Sequence, residues 1–302
     1  MPEIFRIADR YTVLRNGEFI QTGNIADVTT QQITSVMVGN NLSGEEIYRP
    51  RELGEVVLSL DNLSGDDFKN ISLKVRKGEI VGFTGLQGAG ASEVLQCVFG
   101  ELPAIAGSIT VHGDTFQHNA IHRAMQKGIA FLPSNRKENS VVPDMSILEN
   151  EYLSEHTLST RRPHISKRRE AAKFEKLRAS LSIKANHYDD LVLSLSGGNQ
   201  QKVFFARWLN TDAEILLLDN PTQGIDVGAK AEIYKLILQL ANEGKTILLN
   251  TQEIPEIQRV ADRCVVFYSG EIAAVLNHEE INEHTVMMYA TNAIKVGKDV
   301  GA

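Results

Sequence analysis

Three stretches of the chain hold residue types suited to phosphate chemistry. The first is Gly85-Leu86-Gln87-Gly88-Ala89-Gly90-Ala91-Ser92, which follows the apolar run Glu79-Ile80-Val81-Gly82-Phe83 and precedes a helical pattern over about 91–99. A glycine loop between strand and helix presents backbone N–H groups to a phosphate, with the positive end of the helix dipole behind them. Gly85, Gly88 and Gly90 are expected to supply positive φ angles and close approach. The spacing fits Gly-x-x-x-x-Gly-Lys-Ser/Thr except that Ala91 stands where a lysine would reach the β/γ-phosphates. Losing one such charge-assisted hydrogen bond costs about 1.5–3 kcal/mol, roughly 10- to 150-fold in affinity. Ser92 keeps the hydroxyl that would ligate Mg²⁺.

The second stretch is Ile215-Leu216-Leu217-Leu218-Asp219, a buried strand ending in an acid. A carboxylate there would reach Mg²⁺ through water. The third is Leu195-Ser196-Gly197-Gly198-Asn199-Gln200-Gln201-Lys202. Its serine hydroxyl and the N–H groups of a helix starting near Asn199 form a second anion site. Together these two stretches resemble the signature and acid-ended strand of an ATP-binding-cassette nucleotide-binding domain. That resemblance implies ATP and Mg²⁺ as cofactors, with Ser92 and Asp219 at the metal. Gly85 to Ser92 and Leu195 to Gln200 would contact nucleotide. It also implies a glutamate general base after Asp219, where Asn220 stands, and a switch histidine where Gln252 stands. An amide does not accept the proton of an attacking water, and losing a general base costs typically ~10²–10⁴ in rate. No residue is therefore assigned a catalytic role, and weak or no hydrolysis is expected from this chain alone.

The surrounding pattern is that of a parallel-sheet α/β fold. Apolar strands at 129–132, 215–218, 246–249 and 264–267 alternate with helical patterns at about 91–99, 168–182, 199–210, 228–242 and 255–262. Val56-Val57-Leu58-Ser59-Leu60 and Ile71-Ser72-Leu73-Lys74-Val75 alternate as half-buried antiparallel strands do. Residues about 140–195 are polar and helix-rich, a helical subdomain inserted in the core. The fold expected is thus a P-loop NTPase domain of the cassette type, with a mostly parallel core sheet, an antiparallel β subdomain and the helical insertion.

Composition narrows the partners. The 302 residues are 42% hydrophobic and 23% charged with a net charge of −7, which argues against a general nucleic-acid binder. The basic run Arg161-Arg162-Pro163-His164-Ile165-Ser166-Lys167-Arg168-Arg169 reads as the solvated start of a helix. Cys97 and Cys264 lack ligand spacing and read as reduced thiols, and the histidines show no metal-binding pattern. No run approaches the length of a membrane span. Phe68 and Trp208 read as packing residues rather than base platforms.

Residues 1–20 repeat residues 254–273. Ten of the twenty positions are identical without a gap: Pro2, Glu3, Ile4, Arg6, Ala8, Asp9, Arg10, Val13, Gly17 and Glu18. One copy opens the chain and the other lies near the end of a complete domain. Residues 1–40 are therefore expected to be the C-terminal tail of a first nucleotide-binding domain, followed by a linker at 41–54, a cassette domain at 55–295 and a tail at 296–302.

The run Leu195 to Leu209 and the run Asp219-Asn220-Pro221-Thr222-Gln223-Gly224-Ile225-Asp226-Val227-Gly228-Ala229-Lys230 closely resemble ATP-binding subunits of sugar importers of the ribose, galactose and xylose type. Those proteins fuse two nucleotide-binding domains, and Gly85 to Gly90 with Pro133-Ser134-Asn135-Arg136-Lys137 looks like the second. Three departures stand out. The family keeps an acid at the Asn220 position and arginine or a similar residue at Ala91. Its Pro-Glu-Asp-Arg-Lys stretch has Ser134 and Asn135 in place of both acids. The resemblance implies a peripheral subunit on the cytoplasmic face of the plasma membrane. Its partners would be a first nucleotide-binding domain or second cassette subunit, a permease and, indirectly, a sugar-binding protein, with no nucleic acid. The signature would complete the partner's ATP site. The rival expectation is a non-hydrolysing nucleotide-binding scaffold or a decayed fragment.

Overall fold

The structure, a computed structural model, describes residues 2–15, 18–29, 32–33, 36, 48–116, 120–135, 138, 140–159 and 165–294. Its centre is a six-stranded sheet in the order β12-β11-β5-β10-β9-β8. The strands are β5 (Ile80–Gly85), β8 (Ile129–Leu132), β9 (Ile215–Asp219), β10 (Thr246–Asn250), β11 (Arg263–Tyr268) and β12 (Glu271–Asn277). All neighbours pair parallel except the edge strand β12, which runs antiparallel to β11.

Every residue of β5 up to Thr84, and all of β8, β9 and β10, is buried. Alternate residues face two different cores, as the period of a strand requires. Ile80, Leu216, Leu218, Ile247, Leu249 and Val266 enter one core with the helices. Val81, Phe83, Ile215, Leu217, Leu248, Val265 and Phe267 enter the other. The second core is closed by a four-stranded antiparallel sheet, β4-β3-β6-β7, comprising β3 (Val56–Ser64), β4 (Ile71–Arg76), β6 (Ala106–Val111) and β7 (Asp114–Phe116). β4 alternates strictly between buried and exposed residues, as its sequence predicts. Phe68 lies buried in this core rather than facing solvent, and Trp208 packs edge-on against Phe99. Cys97 and Cys264 are buried free thiols, raised by burial to about 11 and about 12.

Among the described residues the helices are α1 (Pro2–Ile7), α2 (Ala91–Phe99), α3 (Ile121–Gln126), α4 (Ile147–Leu158), α5 (Lys167–Ser180), α6 (Gly197–Leu209), α7 (Val227–Asn242), α8 (Ile254–Val260) and α9 (Glu283–Ala290). The region 140–195 is helical as expected, through α4 and α5. A capping box starts α4: Ser146 Oγ accepts from Glu149 N–H, and Glu149 Oε2 accepts from Ser146 N–H at 2.8 Å. Of the basic run, 161–164 lie outside the described residues. Ser166 precedes α5, and Lys167 to Arg169 form its exposed first turn.

The sequence repeat has an equally close structural counterpart. α1, β1 (Arg10–Arg15), β2 (Glu18–Asn24) and the 3₁₀ turn Ile25–Asp27 follow the order of α8, β11, β12 and the turn His278–Glu280. Arg10 pairs with Asn24 as Arg263 pairs with Asn277, and the bulge falls at Val13/Leu14 as it does at Val266/Phe267. The expected linker at 41–54 enters the described residues at Tyr48, where it packs along the cassette. Tyr48 stacks on His278, and both Tyr48 and Arg51 donate to Asp262.

Candidate functional site

The parallel strands end at a cavity of about 530 Å³ bounded by Gly85 to Glu93, Ser134, Asp219, Asn220, Thr222 to Gly224 and Asn250 to Glu253. The carboxyl ends of parallel strands are where open α/β sheets bind ligands. Gly88 and Gly90 have φ angles of 75° and 99°. A side chain at Gly90 would bring its Cβ within 2.9 Å of the Asp67 carbonyl. Gly85 differs from expectation: it ends β5 without a positive φ, and its lack of a side chain serves only close approach to the Phe267 carbonyl. The β11–β12 turn braces the loop, since Gly270 N–H donates to Ala89 at 3.0 Å while its carbonyl accepts from Lys69 N–H at 2.8 Å.

Gly90 caps α2, Ala91 is its first residue and is buried, and Ser92 opens toward the cavity. Ser92 Oγ donates to Asp219 Oδ2 at 2.6 Å. A hydroxyl and a carboxylate side by side at the foot of a phosphate loop are suitable oxygen donors for Mg²⁺. The backbone loop likewise suits phosphates. Ala91 brings no ammonium to this loop.

Asp219 is engaged on its other oxygen as well. Asn250 Nδ2 donates to Oδ1 at 2.7 Å and Asn220 Nδ2 at 3.1 Å. Asn220 adopts a φ of 45°, held by its N–H to the Asn250 carbonyl at 2.8 Å. Its side chain thus acts as a donor to the acid, where the resemblance calls for a base. Gln252 is exposed at the cavity rim.

Sequence reasoning missed two participants. Ser134 reaches this cavity, although its sequence assigned it no role there; Arg136 and Lys137 of that stretch lie outside the described residues. Glu256 joins the two loops that follow β9 and β10. It accepts from Thr222 at 2.7 Å, Thr251 at 2.9 Å and Lys230 at 3.0 Å. Burial pushes the Glu256 carboxyl up, but the bonds from Tyr234, Thr222 and Lys230 outweigh it and hold the group below its usual range. The signal in sequence was the unusual density of hydroxyls and acids in Thr222, Thr251, Glu253 and Glu256, which periodicity does not register.

The signature lies apart from this cavity, beside a second one of about 530 Å³ lined by Lys184, Asp190, Ser194, Leu195, Ser196 and Asn199. The helix begins at Gly197, two residues earlier than predicted, with Ser196 as its N-cap. Ser196 Oγ accepts no backbone hydrogen bond there; it accepts from Asn199 Nδ2 at 2.9 Å. Gly197 and Gly198 start the helix, Gly198 packs where a Cβ would lie 2.6 Å from Ala229, and Gln200 turns inward to the Leu195 carbonyl.

The sheet order, phosphate cavity and signature helix define a P-loop ATPase cassette, and the chain belongs to the ABC transporter family, whose profile matches residues 68–223. Among individual relatives, it is 40% identical over 98% of its length to the arabinose import ATP-binding protein AraG of Mannheimia succiniciproducens. It is 39% identical over 96% to the ribose import ATP-binding protein RbsA of Lactococcus lactis subsp. cremoris. The chain spans 60% and 59% of these two proteins. The fold matches solved cassettes: the ADP conformation of MJ1267 superposes with a TM-score of 0.67 at 22% identity, covering 78% of this chain and 98% of that one. A nucleotide-free cassette gives 0.65 at 22% identity, covering 80% and 100%.

Proposed function

We propose that this chain is an ATP-binding unit of a carbohydrate importer whose signature completes the ATP site of a partner cassette domain, while its own phosphate cavity hydrolyses ATP poorly. The observation that carries this reading is the amide of Asn220 donating to Asp219. That position offers no base, and Ala91 and Gln252 depart from the family pattern in the same cavity. Gly85 to Ser92 would hold the nucleotide phosphates, Ser92 and Asp219 the Mg²⁺. The ion would shield charge on the phosphates; the chain's own residues bind and orient, and none of them takes the proton from water.

The repeat supports reading residues 1–40 as the end of another cassette domain, ahead of a linker at 41–54, the cassette at 55–295 and the tail at 296–302. In the second copy, Asp262 accepts the N–H of Ile80 at 2.8 Å and Arg263 pairs with Glu79 at 2.6 Å, so both grip the start of β5. Asp9 and Arg10 repeat these residues and are exposed. Ile7 is 85% and Leu14 64% exposed, whereas their counterparts Val260 and Phe267 are 0% exposed. The N-terminal unit carries the imprint of a strand and core that a partner domain would fill. No helix among the described residues is long and apolar enough to cross a membrane. Membrane attachment at the cytoplasmic face would run through a permease bound by the helical region and the Pro133–Lys137 neighbourhood, with a sugar-binding protein beyond it.

The purified chain is expected to show negligible ATPase; robust turnover abolished by Asp219→Ala would overturn the weak-site reading. Adding a lysine-bearing first-half cassette domain should produce ATPase that Ser196→Arg abolishes. Turnover indifferent to that substitution would refute the shared site, and no turnover at all would favour a non-hydrolysing scaffold, which Asn220 also fits.

A further inference from the structure

The joint between α4 and the signature helix α6 contains an unusual pair. Glu151 on α4 is 0% exposed, and Asn210, which caps the C-terminal end of α6, is buried with it. Asn210 Nδ2 donates to Glu151 Oε1 at 2.9 Å. The other two polar atoms of the same pair, Glu151 Oε2 and Asn210 Oδ1, are both buried and both lack a hydrogen-bond partner. Both are acceptors if the acid is ionised, so ionisation leaves two unsatisfied oxygens in one buried joint, an arrangement that costs free energy. A single proton on Oε2 removes both deficits, because a carboxylic acid and a carboxamide close a two-bond ring.

We propose that Glu151 is a neutral carboxylic acid paired through both its oxygens with Asn210, and that this ring positions the signature helix against α4 until alkaline pH opens it. The groups around the pair are consistent with this protonation. Burial pushes Glu151 up to about 7, with Glu155 on α4 acting in the same direction. Asn210 and Lys173 of α5 pull it down, but less. Lys173 is held elsewhere, donating to the Asn210 carbonyl at 3.2 Å and lying 3.8 Å from Glu155. The nearby cation on α6, Arg207, is committed to Asn150 through its carbonyl at 2.7 Å and Oδ1 at 3.2 Å. Glu170 of α5 faces His156 at 2.8 Å. Among the described residues, no cation forms a hydrogen bond or ion pair with Glu151, and Lys173 acts on it only at a distance.

The folded state raises this carboxyl above its ordinary value of 4.5. The contribution is therefore complete below that value and declines as pH rises to about 7, where the folded group ionises too. Glu151→Gln reproduces the protonated shape at every pH, with its amide donating to Asn210 Oδ1. In the full-length wild-type chain, infrared spectra should show a protonated-carboxyl carbonyl band that titrates near neutral pH and is absent in Glu151→Gln. At about pH 8.5, amides of α4 and α6 should exchange on the order of tenfold faster in wild type than in Glu151→Gln, and at equal rates near about pH 5. No carboxyl band that the variant removes, or exchange that matches at both pH values, would overturn the proposal. The infrared measurement needs only the wild-type fold, and neither result depends on a partner domain or on the proposed transport role. Failure of that role therefore leaves this test intact.

Discussion

Asn220 shows how one atom type changes the chemistry of a cavity whose shape is intact. In the proposed site the loop, the Ser92 hydroxyl and the Asp219 acid would hold phosphate and Mg²⁺, but Asn220 donates to Asp219 where a base would accept. These identities were legible in sequence because each stands at a fixed offset from a glycine or an acid. Restoring charge should therefore restore binding in part: Ala91→Lys is expected to tighten ATP about 10-fold or more by equilibrium binding. Adding Asn220→Glu in that background should raise turnover by about 10²-fold or more, read by phosphate release. The pair Glu151 and Asn210 was not legible, because they are 59 residues apart and neither belongs to a motif.

At the scale of elements, periodicity located β5, β8, β9, β10 and β11, which read as unbroken apolar runs, but not the half-exposed edge strand β12 or the β6–β7 hairpin. It missed α4, whose inward residues include Asn150, Glu151 and Ser154 and whose apolar face is correspondingly weak. Their partners include residues far along the chain: Arg207 of α6 donates to Asn150, and Asn210 donates to Glu151. Contacts that close only in three dimensions leave no period in the sequence. The close approach of α6 to α7 is another such contact, since a Cβ on Gly198 would lie 2.6 Å from that of Ala229. Gly198→Ala should destabilise the fold by about 1–3 kcal/mol in denaturant unfolding, and Ala229→Gly should recover part of that loss.

At the scale of the whole molecule, Asp262 fastens the segment before the cassette to its sheet. It accepts from Ile80 N–H, Tyr48 and Arg51, and Tyr48 is raised to about 12 by burial and by that carboxylate. Asp262→Ala should cost about 1–3 kcal/mol, because a buried N–H loses its acceptor, and should speed tryptic cleavage after Arg51. An unchanged cleavage rate would show that the segment is held by the Tyr48–His278 stack instead.

The two congruent hairpins also bear on how the chain is made. β5 is flanked by β10 and β11, so it leaves the ribosome with both edges open, and its neighbours follow more than 160 residues later. The hairpin already synthesised, β1–β2, has the register and bulge of its eventual partner and offers the same Asp-Arg pair. A β1–β2 hairpin without a partner strand of its own would therefore compete for β5 while the chain is made. Tyr11 replaces Cys264 and folds onto its own hairpin, close over Gly23 and bonded through its hydroxyl to Gln21 at 2.6 Å. A bulky ring at the position of a small thiol would hinder such a pairing.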